Sequence, residues 1–175
     1  MGSTRRRSIA IPAFTVIEVL LVLAIIAVLT GLILATSSYT YRKGARSRAE
    51  AEIAAMSAAL ENYRADNGSY PSSGLDPKSI NFSDYEIAGK ILFENLSGDL
   101  NGDGQPDANA PSYMQFKPNE LGSIGGTNFV KDPFGDSYGY STLGPLAGGY
   151  NPTFDLWSAA DGEPGTDQAK WIKNW

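Results

Sequence analysis

Residues 14–35 read FTVIEVLLVLAIIAVLTGLILA, 22 positions in which Glu18 is the only charge. As a helix rising 1.5 Å per residue this segment reaches roughly 33 Å, against a hydrocarbon core of about 30 Å. It is longer than a secretory h-region, and no small-residue cleavage site follows it. Such a run has to be covered by lipid or by other apolar surface. Glu18 sharpens the problem, because a carboxylate at mid-bilayer costs on the order of 2.5–3.5 kcal/mol on insertion scales, and less near a helix start. One reading leaves Glu18 at the membrane interface. The other gives it a cationic partner inside the apolar environment, and a free α-amino group would serve if the chain were cut just before Phe14.

No proline interrupts residues 14–66, and Asn67-Gly68 supplies a stop signal. One helix from Phe14 to about Asp66 is therefore expected, roughly 80 Å long. Its first part, 14–35, is apolar all round. Its continuation, 36–67, is one-sided, with Ile53, Met56, Leu60 and Tyr63 at spacings of three and four. Positive charge lies on both sides of the apolar run, Arg5, Arg6 and Arg7 before it and Arg42, Lys43, Arg46 and Arg48 after it, so the loop-charge rule sets no orientation.

The whole chain carries a net charge of −5, and its later half is the acidic part, which argues against nucleic acid as a partner. There is no cysteine and no histidine, so disulfides, His/Cys zinc sites and His- or Cys-based catalysis are all excluded. A metal here would have oxygen ligands, which points to calcium. No nucleophile–base motif is present, and an enzyme is not expected.

"DLNGDGQPD" at 99–107 has such oxygens at calcium-loop spacing. Asp99, Asn101, Asp103 and Asp107 take the first, third, fifth and ninth places of an EF-hand-like loop, with Gly104 at the sharp turn and Gln105 offering a carbonyl. The twelfth place is Ala110, so the bidentate glutamate is missing, and Pro106 and Pro111 preclude the following helix. An Asp/Asn/Gly-rich turn without a metal is the competing reading. "KILFENLSG" (90–98) reads as a short helix leading in. "YGYSTL" and "FDLWSA" alternate as strands do, which predicts a small antiparallel sheet of two to four strands packed on the helix stripe. Tyr70, Phe129, Phe134, Tyr138, Tyr140, Phe154 and Trp157 are expected in the core and sheet, and Trp171 and Trp175 are expected to pack the terminus down. The fold class is thus α+β.

"RRR" followed by "AFTVIEVLLVLAIIAVLTGLI" resembles the N-terminal signal of type IV pilins and pseudopilins. That resemblance implies a leader peptide at 1–13, cleavage by a prepilin peptidase between Ala13 and Phe14, N-methylation of Phe14, and pairing of Glu18 with the N-terminal amine of a neighbouring subunit. The family usually has Gly before the cut where this chain has Ala13, and many members carry a proline about twenty residues into the mature helix, where this chain has Gly31. "ALENYRADNGSYPSS", "KDPFGDSYGY" (131–140) and "FDLWSAADGEPGTDQAKWIKNW" (154–175) resemble, in order, segments of the major pseudopilins of type II secretion. Residues 74–128 do not resemble their usual middle.

The resemblance implies a pilin-like fold with the filament-core helix at 14–35 and a globular periplasmic domain at 68–175. It implies a single-pass inner-membrane protein that assembles with itself, with minor pseudopilins and with an inner-membrane secretion platform. It also implies a calcium site in the C-terminal loop, formed by the Leu156 carbonyl, Ser158, Asp161 and Asp167. Read from its residues, "SAADGEPGTD" is a turn-rich loop with three carboxylates, which is also compatible with a solvated acidic loop. Two other functions compete with a secretion pseudopilus: a surface type IV pilin, and a single-span calcium-binding module that never polymerises.

Overall fold

A computed structural model describes residues 15–79, 81–103, 105–162 and 168–175. It divides into two compact units, Met1–Arg42 and Lys43–Trp175. Helix α1 runs Val16–Asn67, as the uninterrupted apolar and amphipathic patterns predict. In the first unit its apolar side chains from Val16 to Ile33 are exposed, and this stretch is long and apolar enough to cross a membrane.

In the second unit the same helix buries Ala45, Ala49, Ile53, Met56, Ala59 and Leu60, a stripe at three- and four-residue spacing. Tyr63 is half-buried at its end and meets Tyr113 edge-on. The alanines of this stripe are invisible to a search for large apolar residues, yet they let neighbouring side chains come close. The helix ends where the Gly68 amide donates to the Arg64 carbonyl at 2.8 Å.

Helix α2, Phe82–Ser97, is longer than the helix predicted at 90–98. Asn81 and Asp84 form a reciprocal capping box that begins it: the Asp84 amide donates to the Asn81 side chain, and the Asn81 amide donates to the Asp84 carboxylate. That signal, N-x-x-D, is present in the sequence one turn before the apolar pattern becomes obvious.

The expected single sheet is two. Strands β1 (Leu121–Ile124) and β2 (Thr127–Val130) form an antiparallel hairpin, and β3 (Gly139–Ser141), β4 (Asp155–Ser158) and β5 (Ile172–Lys173) form a three-stranded antiparallel sheet in that order. Gly125 and Gly126 both have positive φ, 59° and 82°, which a two-residue hairpin turn matched to strand twist requires and which other residues resist. Between the sheets a turn around Asp132 and Pro133 leaves only an isolated bridge, Lys131 with Ser137.

α2 packs against strands β2 and β3, and side chains of α1 join the strands in one apolar cluster. One cluster joins Ile53, Met56 and Leu60 of α1 with Leu92 and Leu96 of α2 and with Val130, Tyr138, Tyr140, Phe154 and Leu156. A second stacks Trp157 on Trp171 at 5.4 Å, with Tyr85 and Ala159 beside them. The aromatics expected in the core and sheet lie in or against these clusters, apart from Phe129, which is half-buried with its ring over Gly122 across the hairpin. Trp171 is buried, and Trp175 packs half-buried against the second cluster.

The same cross-strand device occurs at Gly139, paired with Trp157. A Cβ on Gly139 would lie 2.1 Å from the indole, which is fully buried and cannot retreat. Gly139→Ala is therefore expected to destabilise the second unit by about 1–3 kcal/mol, the usual range for overpacking. Urea unfolding followed by tryptophan fluorescence measures it, and an unchanged midpoint would mean that the indole moves aside.

Candidate assembly and cation-binding sites

At the start of α1, Thr15 and Glu18 satisfy one another. The Thr15 amide and hydroxyl each donate to Glu18 Oε2 at 2.8 Å, and the Glu18 amide donates to Thr15 Oγ at 3.4 Å. This is a T-x-x-E capping box, a motif legible in "TVIE" that the search for an intermolecular partner passes over. It places a negative charge at the positive end of the helix dipole and meets amide groups that have no partner within the helix. Glu18 thus has a local role in a single chain. Ala13 and Phe14 lie outside the described residues.

The 99–107 loop follows α2 and is built as a ladder of side-chain-to-backbone hydrogen bonds. Asp99, 2% exposed, accepts the Gly102 and Asp103 amides on Oδ1 at 2.6 and 3.2 Å. Asn101 accepts the Asp103 amide at 2.8 Å, and Asp103 accepts the Gln105 amide at 2.9 Å. Asp107 accepts the Leu100 amide on one oxygen and the Asn101 side-chain amide on the other. Asn128 of β2 donates to the Gly102 carbonyl at 3.3 Å and ties the loop to the hairpin. The five residues picked out by spacing therefore do share one loop, and four of them contribute side-chain oxygens to its internal ladder. Gly104 lies outside the described residues.

The four positions picked out near the C-terminus are placed differently. The Leu156 carbonyl accepts the Asn174 amide at 3.2 Å beside β5. The Ser158 hydroxyl is fully buried, donates to Asp132 Oδ2, and accepts the Ala160 amide at 2.9 Å. That amide belongs to a left-handed residue, Ala160 at φ 55°, a conformation costing roughly 1–2 kcal/mol for a side chain with a Cβ. Asp161 is exposed, and Asp167 lies outside the described residues. Among the described residues no group of three or more acidic side chains stands close enough to hold a metal.

Sequence reading missed the carboxylate that organises this end of the molecule. Asp132 Oδ1 accepts the amides of Phe134, Gly135 and Asp136 at 2.9, 2.9 and 3.0 Å, while Oδ2 takes the Ser158 hydroxyl. The signal was "DPFGD", a turn sequence led by an aspartate. Burial pushes the Asp132 carboxyl up to about 6, although Ser158 and two of the amides pull it down. Burial also raises Asp155, which accepts the Tyr150 and Asn151 amides at 2.7 and 2.8 Å. Glu52 on α1 is raised chiefly by burial too, where it accepts the Tyr138 hydroxyl at 2.6 Å.

A carboxyl whose folded value stands above its unfolded one holds its proton more tightly when folded. For Asp132 that contribution to stability is complete below about pH 4 and is lost as the pH rises through about 6. Asp132→Asn should remove that slope. The stability difference between variant and wild type should then shift toward the variant between pH 4 and 7, by on the order of 3 kcal/mol. Parallel pH–stability curves from chemical denaturation would show that Asp132 does not titrate in this window.

No family model matches the chain. The type II secretion system core protein G of Pseudomonas aeruginosa is 30% identical over 167 residues, covering 93% of each chain.

Proposed function

The chain belongs to the major-pseudopilin family of type II secretion systems, and on that premise we propose that it is the structural subunit of a pseudopilus. It stands in the bacterial inner membrane by a single span, with the second unit in the periplasm. There it polymerises through its N-terminal helix to help export folded proteins. Its partners are further copies of itself, minor pseudopilins, the inner-membrane secretion platform, membrane lipid, and the prepilin peptidase that removes residues 1–13 and methylates Phe14.

The observation that carries the reading is the apolar stretch Val16–Ile33, exposed along its length, with a single carboxylate at its start. Lipid covers that surface in the lone subunit, and neighbouring helices cover it in a filament. Glu18 rests on Thr15 while the subunit is alone. In the filament the freed amine of a neighbouring Phe14 supplies an opposite charge, which offsets the cost of keeping the carboxylate among apolar helices.

The capping box gives a way to separate the two roles of Glu18. Glutamine can cap a helix at this position but cannot pair as an anion. Glu18→Ala and Glu18→Gln should both lower filament yield, by about tenfold or more, since a charge-assisted hydrogen bond contributes ~1.5–3 kcal/mol. Membrane insertion should be unchanged in both. Sheared-filament assays read the yield, and restoration by glutamine alone would reduce Glu18 to a cap and remove the pairing.

Calcium belongs to the same proposal. The 99–107 loop supports it by donor type and spacing, since Asp99, Asn101, Asp103 and Asp107 put four oxygen-bearing side chains on one short loop, with Gln105 between them. At the C-terminal loop the family resemblance supports it, with Asp161, Asp167, Ser158 and the Leu156 carbonyl as ligands. A bound ion would order these polar loops, contributing about 2.7 kcal/mol at a hundredfold excess over Kd. Calcium should raise the melting temperature over a chelator control, and Asp103→Ala and Asp161→Ala should each remove part of the rise. A full rise in both variants would exclude these residues as ligands.

A further inference from the structure

We propose that residues 39–43 form a collar on α1 that binds anionic phospholipid headgroups and fixes the depth of the membrane span. The proposal rests on the single-span reading above, and it names the lipid class that the span meets at its outer end.

After the apolar run come Tyr39, Tyr41, Arg42, Lys43, Arg46 and Arg48, and no acidic residue occurs between Glu18 and Glu50. Cations are enriched on the cytoplasmic side of membrane spans, so a cluster on the far side calls for a reason of its own. The structure divides the cluster. Arg46 serves the second unit: its guanidinium donates to the Lys170 carbonyl at 2.9 Å and lies 3.7 Å from the Glu50 carboxylate. Burial raises the Glu52 carboxyl, and the charge of Arg48 is among those that pull it back. Arg42 and Lys43 precede both carboxylates and are exposed, next to Tyr39 and Tyr41 at 72% and 65% exposure. Tyrosine is enriched where membrane meets water, because its ring is apolar and its hydroxyl is wet.

Helix geometry sets these groups at headgroup depth. Tyr39 lies roughly 6 Å past Ala35 along the helix, and Arg42 and Lys43 roughly 10–12 Å past it. The polar layer on each side of the hydrocarbon is about 5–8 Å thick, and long cationic side chains bend toward it along their stems. Tyr39, Arg42 and Lys43 are spaced three and four residues apart and share one face, while Tyr41 stands on the other side of the helix. Two adjacent cations with no carboxylate before Glu50 favour a headgroup of net negative charge over a zwitterionic one, by about fivefold per cation.

The same spacing places Glu18. Between Glu18 and Tyr39 the helix rises roughly 32 Å, close to the ~30 Å of the hydrocarbon core. With Tyr39 among the outer headgroups, Glu18 stands at the inner boundary rather than at mid-bilayer, where a carboxylate costs most. Tyrosines and cations at one end and the capped carboxylate at the other thus bracket the bilayer, and the span Val16–Ile33 fills the space between them.

The test is native mass spectrometry of the full-length chain released from mixed micelles that hold equal phosphatidylglycerol and phosphatidylcholine. The wild type is expected to retain phosphatidylglycerol over phosphatidylcholine by about tenfold or more, given two cations. A chain carrying both Arg42→Gln and Lys43→Gln should lose that preference, whereas Lys90→Gln on α2 should keep it. Equal retention of the two lipids by the wild type, or an unchanged preference in the double variant, overturns the proposal. Filament yield is measured in parallel. A double variant that makes fewer filaments, with no lipid preference in the wild type, assigns the two cations to a neighbouring copy and overturns the collar. Wild-type filaments without the preference overturn the collar and leave the pseudopilus reading standing, whereas the preference without wild-type filaments supports the collar and counts against that reading.

Discussion

Three buried aspartates hold the loops of a domain that has no disulfide. Asp99, Asp132 and Asp155 are each at most 3% exposed, and each accepts at least two backbone amides from a turn beside it. The second unit has short strands and long connections, so much of its backbone finds no partner in a ladder. A buried carboxylate collects several such amides at once, which removes the larger penalty of leaving them unpaired. Asp132 also receives the Ser158 hydroxyl and so ties the turn after β2 to β4. Asp155 braces the turn that carries Leu146, and Asp99 nucleates the 99–107 ladder.

This economy links stability to pH. Burial raises Asp132 and Asp155, so their ionised forms carry a desolvation cost. The amides compensate in part, and a metal ion beside such a loop would compensate further.

The first unit is governed by the opposite problem. From Val16 to Ile33 its apolar side chains have no cover from the chain itself, and its one carboxylate is satisfied by Thr15. A helix of this kind is stable in lipid and equally at home among like helices. The capping box matters because it gives the carboxylate of Glu18 a partner within its own chain.

Much of this was determined by sequence alone. The apolar run, its lone glutamate, the Ile53–Met56–Leu60 stripe and the strands around Tyr140 and Trp157 are local patterns of period or composition, and physics acts on them locally. The ligand-type residues of 99–107 also fall on one loop, because they are close in the chain. Other features were written locally and overlooked, among them the capping boxes at Thr15 and Asn81 and the Gly125-Gly126 hairpin turn. What only the tertiary structure decided is which distant groups meet: Ser158 with Asp132, Tyr138 with Glu52, the indole of Trp157 over Gly139, and the separation of the strands into two sheets. Those pairings depend on how α2 and the turns pack around one core, and burial then sets the protonation of the carboxylates enclosed there. No periodicity in the chain encodes that, because desolvation is a property of the assembled interior.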